Sequence, residues 1–148
     1  MSALENSHLR TKVLLVEDSP LHAALFKEAI KSVNQLQLLA VAKDGEEAMH
    51  FLRRDHDSGK AERPDLVILD LQMPKMNGHE VLQEVRRDAD LKDLPIVMMS
   101  TSNDQQDITD AYKFGADKFV SKPSGVPELT QTLESISRSL LNQTLASA

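Results

Sequence analysis

Residues 66–70 read Leu-Val-Ile-Leu-Asp, four apolar residues that end on a carboxylate. Three other apolar runs also end on a carboxylate, a hydroxyl or an ammonium group. They are Val13–Val16 before Glu17-Asp18, Ile96–Met99 before Ser100, and Phe119–Ser121 before Lys122. Runs of this length, bounded by turn signals and separated by helix-like stretches, predict buried strands of a parallel sheet.

The groups that end these runs point to one shared site. In open α/β sheets, ligands bind in the crevice beyond the carboxyl ends of the strands, so Glu17, Asp18, Asp70, Ser100 and Lys122 should lie in one small volume. Three carboxylates this close repel one another and need a cation. An all-oxygen site that keeps several waters suits Mg²⁺. The hydroxyl and the ammonium favour a phosphoryl group beside the metal.

The rest of the chain alternates strands with helices. Besides the runs above, Leu36–Val41 is a predicted strand, and the other strands are expected at Lys12–Val16, Asp65–Leu69, from Ile96 and at Lys118–Ser121. Helices are expected to begin at Ser19-Pro20, Asp44, Asn77, Asn103 and Val126, with Gly115 ending the fourth. In the first helix, an apolar face is expected from the helical spacing of Leu21, Leu25, Ala29, Ile30 and Val33. Five β-α repeats predict an α/β fold with a doubly wound parallel sheet and right-handed crossovers.

Length and composition exclude several classes of protein. The chain has 148 residues, a net charge of −6 and no cysteine, which excludes a disulfide framework and argues against nonspecific nucleic-acid binding. It lacks the ~20-residue apolar stretch of a membrane span, and its polar N-terminus lacks a signal-peptide core. We expect a cytoplasmic protein with a flexible arm over 1–11, one domain over 12–142 and a tail over 143–148.

In order and spacing, these groups resemble the response-regulator receiver domain of two-component signalling. Ser100 and Lys122 follow Asp70 by 30 and 52 residues, which are the spacings of the single-domain chemotaxis receiver. The resemblance covers about residues 11–142 and implies a flavodoxin-like five-stranded sheet with strand order 2-1-3-4-5. The matching motifs are Glu17-Asp18-Ser19, Met73-Pro74 and Asn77-Gly78, Ser100-Thr101, and Lys122-Pro123.

The resemblance implies a role for each carboxylate. Asp70 is the expected phosphoacceptor, because a carboxylate can act as a nucleophile toward a phosphoryl group. Asp18, Asp70 and the backbone carbonyl of Gln72 would ligate Mg²⁺, with Glu17 acting through water. A competing interpretation of Glu17 is a solvated charge at the end of a strand. Lys122 can pair with Asp70 when the site is empty and with phosphoryl oxygens when it is loaded.

The resemblance also implies phosphate-sensing residues. Ser100 and Lys122 would contact the phosphoryl group, and Phe119 matches the aromatic switch position, although it can equally be an ordinary strand aromatic. Thr101 is bulkier than the alanine often found there and could narrow access to the phosphate. The family implies a cis peptide bond before Pro123.

The function expected from this resemblance is that of a stand-alone response regulator. It would accept a phosphoryl group from a sensor histidine kinase or a phosphotransfer protein, and it would promote only its own phosphorylation and slow dephosphorylation. About six residues follow the fifth helix, too few to fold alone, so its output would be contact with a downstream protein target. The long stretch Asp55–Arg63 is similar to that of receivers paired with bacterial or cyanobacterial phytochromes, which suggests a phytochrome as the kinase.

Two apolar residues near the chain end suggest a homodimer. Leu141 and Leu145 fall off the apolar stripe of the fifth helix, and exposed apolar residues often mark a partner surface. The resemblance places a two-fold interface on the fourth helix, the fifth strand and the fifth helix. A tail that frays is the competing interpretation.

Three other classes of protein are alternatives to this function. A phosphohydrolase of the haloacid dehalogenase type would need an Asp two residues after Asp70, where Gln72 stands. A flavodoxin-like cofactor carrier would need a Gly-rich phosphate loop, which is absent, and aromatic residues are only 3% of the chain, which leaves little to stack on a flavin. A receiver-like module that binds partners without phosphorylation stays open as an alternative.

Four histidines are expected at the surface or at an interface rather than in a metal site. They are His22, His50, His56 and His79. The pairs Arg53-Arg54 and Arg86-Arg87 are expected on solvated helix faces.

Overall fold

Five parallel strands form one sheet in the order β2-β1-β3-β4-β5 in the computed structural model, as the resemblance implied. The structure describes residues 10–54 and 62–147, with side chains as far as Leu140. The strands are β1 (Thr11–Val16), β2 (Leu36–Ala42), β3 (Leu66–Asp70), β4 (Ile96–Ser100) and β5 (Lys118–Ser121). The helices are α1 (Pro20–Ile30), α2 (Gly45–Leu52), α3 (Gly78–Arg87), α4 (Gln105–Lys113) and α5 (Val126–Ser147).

Helices cover both faces of the sheet, which explains why the central strands β3 and β4 are apolar up to their last residues, Asp70 and Ser100. Every residue of β3 and β4 is buried. On one face α1 and α5 contribute residues such as Phe26 and Leu133, and on the other face α2, α3 and α4 contribute Leu52, Leu82 and Ala111. The chain leaves β1 toward β2 and returns to β3 on the other side, so the crevice at the carboxyl ends of β1 and β3 is the topological switch point.

The predicted starts of α1, α2 and α3 are confirmed by their side-chain caps. Ser19 accepts a hydrogen bond from the backbone of His22, and Asp44 accepts one from Glu47. Asn77 forms a full capping box with Glu80. Helix α4 begins two residues later than expected, at Gln105, with Asp104 as its cap. Gly115 follows α4 with φ +107°, the left-handed conformation that favours glycine.

The apolar face predicted for α1 is partly wrong. Leu21 is 67% exposed, whereas Ala23, Phe26 and Ala29 are buried. The buried face lies about 160° around the helix from the side that Leu21 occupies, counting 100° for each residue. Phe26 has the larger apolar surface and lies against the sheet, so it determines how α1 is rotated.

Several predictions fall on the chain ends and the long loop. Residues 1–9, 55–61 and 148 lie outside the described part of the chain. They include most of the N-terminal arm, most of the loop Asp55–Arg63, and His56. The backbone of α5 continues to Ser147, so the boundary expected after residue 142 falls within this helix. The side chains of Leu141 and Leu145 are outside the described ones.

The prediction that Arg86 lies on a solvated helix face is wrong. Its guanidinium donates hydrogen bonds to the carbonyl oxygens of Gly115, Lys92 and Leu94, at 2.7–3.0 Å, and it pairs with the carboxylate of Asp117 at 3.2 Å. Arg86 therefore links the end of α3 to the segments that enter β4 and β5. These contacts lie at the amino ends of the strands, at the end of the sheet opposite the switch-point crevice.

No helix within the described ranges is long and apolar enough to span a membrane.

Candidate functional site

Three carboxylates meet at the switch-point crevice, as the sequence predicted. Ligand oxygens of Glu17, Asp18 and Asp70 all lie within 4.8 Å of one another. Glu17 and Asp70 are buried, with 5% and 6% of their surfaces exposed, whereas Asp18 is exposed. Buried carboxylates this close are stabilised by a cation, and an all-oxygen donor set open on one side fits a hard divalent ion such as Mg²⁺. The residues present therefore fit the metal that the sequence predicted.

The ammonium of Lys122 lies among these carboxylates but favours a different partner from the expected one. Its Nζ atom lies 2.5 Å from Oε1 of Glu17 and 3.5 Å from Oδ2 of Asp70. The second oxygen of Glu17, Oε2, accepts a hydrogen bond from the backbone N–H of Ser19 at 3.2 Å. Glu17 is therefore a buried and paired carboxylate, and its interpretation as a solvated strand-end charge is wrong.

The two buried carboxylates have pKa values shifted in opposite directions. Burial, followed by the negative charge of Glu17, raises the pKa of Asp70 from 3.8 to about 7, although Lys122 opposes the shift. Burial also acts to raise the pKa of Glu17, but its hydrogen bond from Lys122 and its other contacts outweigh burial and lower that pKa. Without metal, Glu17 is therefore the charged partner of Lys122, and Asp70 is the carboxyl that holds a proton most readily.

The stability of the metal-free protein should fall as the pH rises from 5 to 8. Folded Asp70 keeps its proton up to about pH 7, whereas the unfolded chain releases it near pH 4, so the stabilising proton is lost in this window. The lowered pKa of Glu17 affects the stability only at pH values below this window. Urea unfolding should be measured in the presence of a chelator. Between pH 5 and 8 the free energy of unfolding of wild type should fall by on the order of 3 kcal/mol, and that of Asp70→Asn should not show this fall. If the free energy of unfolding changed equally with pH in wild type and in Asp70→Asn, this prediction would be contradicted.

The hydroxyl of Ser100 is fully buried at the end of β4 and is held in place by local hydrogen bonds. Its Oγ accepts a hydrogen bond from the backbone N–H of Ser102 at 3.0 Å, and its carbonyl oxygen accepts one from the backbone N–H of Lys122 at 2.8 Å. Hydrogen bonds thus join the ends of β4 and β5, which carry the two groups expected to sense phosphate.

Two loop residues border the mouth of the site. The backbone N–H of Gln72 donates to Oδ1 of Asp70 at 3.3 Å, which orients that carboxylate. The hydroxyl of Thr101 donates to the side-chain oxygen of Gln72 at 3.1 Å. The loops after β3 and β4 are therefore joined across the site, consistent with Thr101 lying where it could narrow access.

The predicted switch aromatic, Phe119, is half-buried against the core below α4. Its backbone N–H, on the free edge of the sheet, donates to the hydroxyl of Tyr112 at 3.0 Å. Sequence reasoning missed Tyr112, because a tyrosine on a helix gives no sign of which strand edge it reaches.

The peptide bond before Pro123 corrects another expectation. No cis peptide bond occurs in the described residues, so the Lys122–Pro123 bond is trans rather than cis. Trans is the form that bonds before proline favour by about 0.5–1 kcal/mol.

The histidines do not join the metal cluster in the part of the chain described. Nδ1 of His22 lies 3.7 Å from Oε1 of Glu17, at the border of the site. His50 is exposed, and the ring of His79 packs edge-on against Phe114 with 5.5 Å between centroids.

Comparisons with known proteins agree with this geometry. The sequence-family model of the response regulator receiver domain matches residues 13–134 of this chain. Response regulator Rcp1 of Synechocystis sp. is 33% identical over 124 residues, which are 84% of this chain and 84% of Rcp1.

Solved structures extend the agreement to the fold. The phosphorylated cyanobacterial phytochrome response regulator RcpA has a TM-score of 0.78 at 35% identity, over 90% of this chain and 96% of RcpA. The Mn²⁺-bound form of Rcp1 has a TM-score of 0.73 at 31% identity, over 85% of this chain and 91% of that one. Together with the carboxylate cluster, the strand order and the family match, these likenesses show that the chain belongs to the response regulator receiver domain family.

Proposed function

We propose that this protein is a stand-alone response regulator that accepts a phosphoryl group on Asp70 from a phosphohistidine of a sensor histidine kinase. The observation that carries the proposal is the position of Asp70. Its carboxylate is buried at the switch-point crevice, within 4.8 Å of two other carboxylates and 3.5 Å from the ammonium of Lys122. A carboxylate in this setting has a cation site and a positive charge beside it, which a phosphoryl group requires.

Residues of this chain have a role in each part of the phosphoryl transfer. An oxygen of Asp70 forms a bond to phosphorus as the phosphorus–nitrogen bond of the phosphohistidine breaks, and the imidazole leaves with the electron pair. Lys122 stabilises the negative charge of the phosphoryl oxygens, and the backbone N–H of Gln72 holds the carboxylate in position. Asp18, Asp70 and the carbonyl of Gln72 would hold a Mg²⁺ ion, with Glu17 acting through water, and that ion would supply charge neutralisation.

Phosphate is then sensed by residues of β4 and β5. The Oγ of Ser100 accepts the N–H of Ser102, and its O–H can at the same time donate to a phosphoryl oxygen. Lys122 can pair with another oxygen. Phe119 has no hydroxyl, so it would respond by repacking. Thr101 and Pro123 border the site and modulate it. The protein is thus a phosphoacceptor whose output is contact with another protein.

A direct labelling experiment tests the proposal. Incubated with acetyl phosphate and Mg²⁺, the purified protein should form one acyl phosphate, stable in acid and labile in base. If no such label forms with small donors or with a panel of histidine kinases, the alternative of a receiver-like module that binds partners without phosphorylation is favoured.

Asp18→Ala should abolish Mg²⁺ binding and phosphorylation and leave the fold intact. Asp18 is exposed, so its loss leaves the core unchanged, while it removes a direct metal ligand. Without metal, the variant should be at least as stable as wild type, because carboxylate repulsion is relieved. Thermal unfolding against Mg²⁺ concentration measures both effects, and a wild-type metal-dependent shift in Asp18→Ala would refute the assignment.

We further propose a bacterial or cyanobacterial phytochrome as the kinase, or a phosphotransfer protein that works between the two. The support is similarity to RcpA, named as a cyanobacterial phytochrome response regulator, over 96% of its length. Phosphotransfer rates from a phytochrome kinase and from unrelated kinases test the partner. Transfer that is no faster from the phytochrome than from the others would reject it.

The last part of the proposal is a homodimer through α4, β5 and α5. Tyr112 on α4 is 49% exposed beside the edge strand β5, and the sequence adds Leu141 and Leu145 on α5. Light scattering at tens of micromolar, with and without a phosphoryl mimic, should show a dimer for wild type and a monomer for Leu141→Glu/Leu145→Glu. A wild-type monomer under both conditions would end this part of the proposal.

A further inference from the structure

The imidazole ring of His79 has no hydrogen-bond partner for either of its nitrogen atoms. Within the described residues, the buried side-chain polar atoms that lack a partner are Nδ1 and Nε2 of His79 and Nδ1 of His22. A neutral imidazole has one nitrogen that donates and one that accepts, so either tautomer of His79 leaves a donor and an acceptor unpaired. Burial without a partner costs stability, because water no longer solvates these atoms.

The ring of His79 lies between α3 and α4. His79 is the second residue of α3, and its ring packs edge-on against Phe114, the residue that follows α4, with 5.5 Å between centroids. The residue also borders a cleft of about 480 Å³ that Asp107 of α4 lines from the other side. The unpaired nitrogens therefore weaken the contact between these two helices in particular.

Three polar side chains that line the same cleft are engaged elsewhere. The side-chain oxygen of Gln72 accepts the hydroxyl of Thr101, and that of Asn77 caps α3. The carboxylate of Asp107 accepts the hydroxyl of Ser102 at 2.8 Å. None of the three is hydrogen-bonded to the ring of His79, which gains partners only if α4 moves and admits water or if these bonds are exchanged.

The start of α4 is connected to Ser100, which the proposed function places beside the phosphoryl group. Ser102 donates its backbone N–H to Oγ of Ser100 at 3.0 Å and its hydroxyl to the carboxylate of Asp107, in the first turn of α4. A displacement of Ser100 is therefore transmitted to α4 through one residue. A helix that is held by an incomplete contact moves at a lower cost than one held by a complete contact.

We infer that His79 holds α4 only weakly on α3, so that loading of the phosphoryl site displaces α4 more readily than an apolar contact would allow. The weak contact is a property of the unloaded protein and does not depend on phosphorylation, whereas the displacement rests on the proposed function. A cost that is present only in the unloaded arrangement favours the displaced one by the same amount.

Thermal unfolding of the metal-free protein tests the weak contact. His79→Leu replaces the ring by an apolar side chain of similar size, and it should raise the Tm by about 5 °C because no polar atom is left unpaired. His50→Leu is the matched control, since His50 is exposed on α2, and it should change the Tm by less than about 2 °C. His79→Met, with a flexible side chain that adapts to irregular spaces, guards against a poor fit of leucine. If neither His79 variant is more stable than His50→Leu, the inference is overturned.

Binding of beryllofluoride, a mimic of the phosphoryl group, tests the displacement. Tyr112 lies on α4 and is the single tyrosine of a chain without tryptophan, so tyrosine fluorescence reports on this helix. With saturating Mg²⁺, the mimic should change the fluorescence of wild type, and His79→Leu should need about fivefold more mimic for half of the change.

An unchanged affinity for the mimic in a stabilised His79→Leu would overturn the displacement, and so would a wild type whose fluorescence does not respond. If wild type also fails to be labelled at Asp70, the proposed function fails as well. The comparison of Tm values between His79→Leu and His50→Leu decides the weak contact independently of both results.

Discussion

Asp70→Asn should lose phosphoryl labelling completely, whether the donor is acetyl phosphate or a phosphorylated kinase. Asparagine has nearly the shape of aspartate, and it can still accept the hydrogen bond from the N–H of Gln72. Its amide, however, cannot act as the nucleophile that a carboxylate provides. We expect the rate to fall by at least about three orders of magnitude, as when other essential nucleophiles are removed.

The control for this variant is another Asp→Asn exchange. Asp104 caps α4 by accepting the N–H of Gln106, and asparagine caps helices about as well as aspartate. Asp104→Asn should therefore be labelled at the wild-type rate. Acyl phosphate at the wild-type level in Asp70→Asn would show that another carboxylate is the acceptor, and peptide mapping of the labelled protein would identify it.

Gly78→Ala should strongly destabilise the protein. A Cβ at this position would lie 2.7 Å from the carbonyl oxygen of Asp70, 2.8 Å from Cα of Leu71 and 3.0 Å from the sulfur of Met98. Two of these neighbours are backbone atoms and cannot turn away. Overpacking of this kind costs about 1–3 kcal/mol, so the Tm should fall by about 4–12 °C.

The same substitution should also disturb the chemistry, because the backbone that must move belongs to Asp70. Gly125→Ala is the matched control. Its Cβ would meet only the end of the flexible side chain of Glu128 at a short distance, 2.8 Å, and other atoms at 3.8 Å. Differential scanning calorimetry on the two variants compares them directly. A Tm for Gly78→Ala within 2 °C of that for Gly125→Ala, roughly the effect of half a kcal/mol, would contradict the steric argument.

Features that depend on order along the chain could be predicted from the sequence. The bounds of β5 agree with the predicted Lys118–Ser121, because Gly115 and Pro123 bracket a short apolar run. The convergence of Glu17, Asp18 and Asp70 followed from one rule, that the carboxyl ends of parallel strands meet at the same edge of the sheet.

Two kinds of feature could not be predicted from the sequence: how a helix is rotated about its own axis, and which of two contacts is shorter by about 1 Å. Leu21 and Phe26 both satisfy a helical spacing, and only packing on the sheet decides which of them is buried. Arg86 and Arg87 look alike in sequence but point in directions about 100° apart. The preference of Lys122 for Glu17 over Asp70 is a difference of 1 Å between two contacts, which is set by the exact course of three strands.

The contacts of Arg86 have a mechanical consequence. One guanidinium fastens the last turn of α3 to the entrances of β4 and β5, and all three segments lie at the end of the sheet away from Asp70. These contacts would hold this end of α3 in place, so any rotation of α3 against the sheet would produce a displacement that grows with distance from Arg86. The loops around Asp70 lie at the opposite end of the sheet, where such a rotation would produce the largest movement.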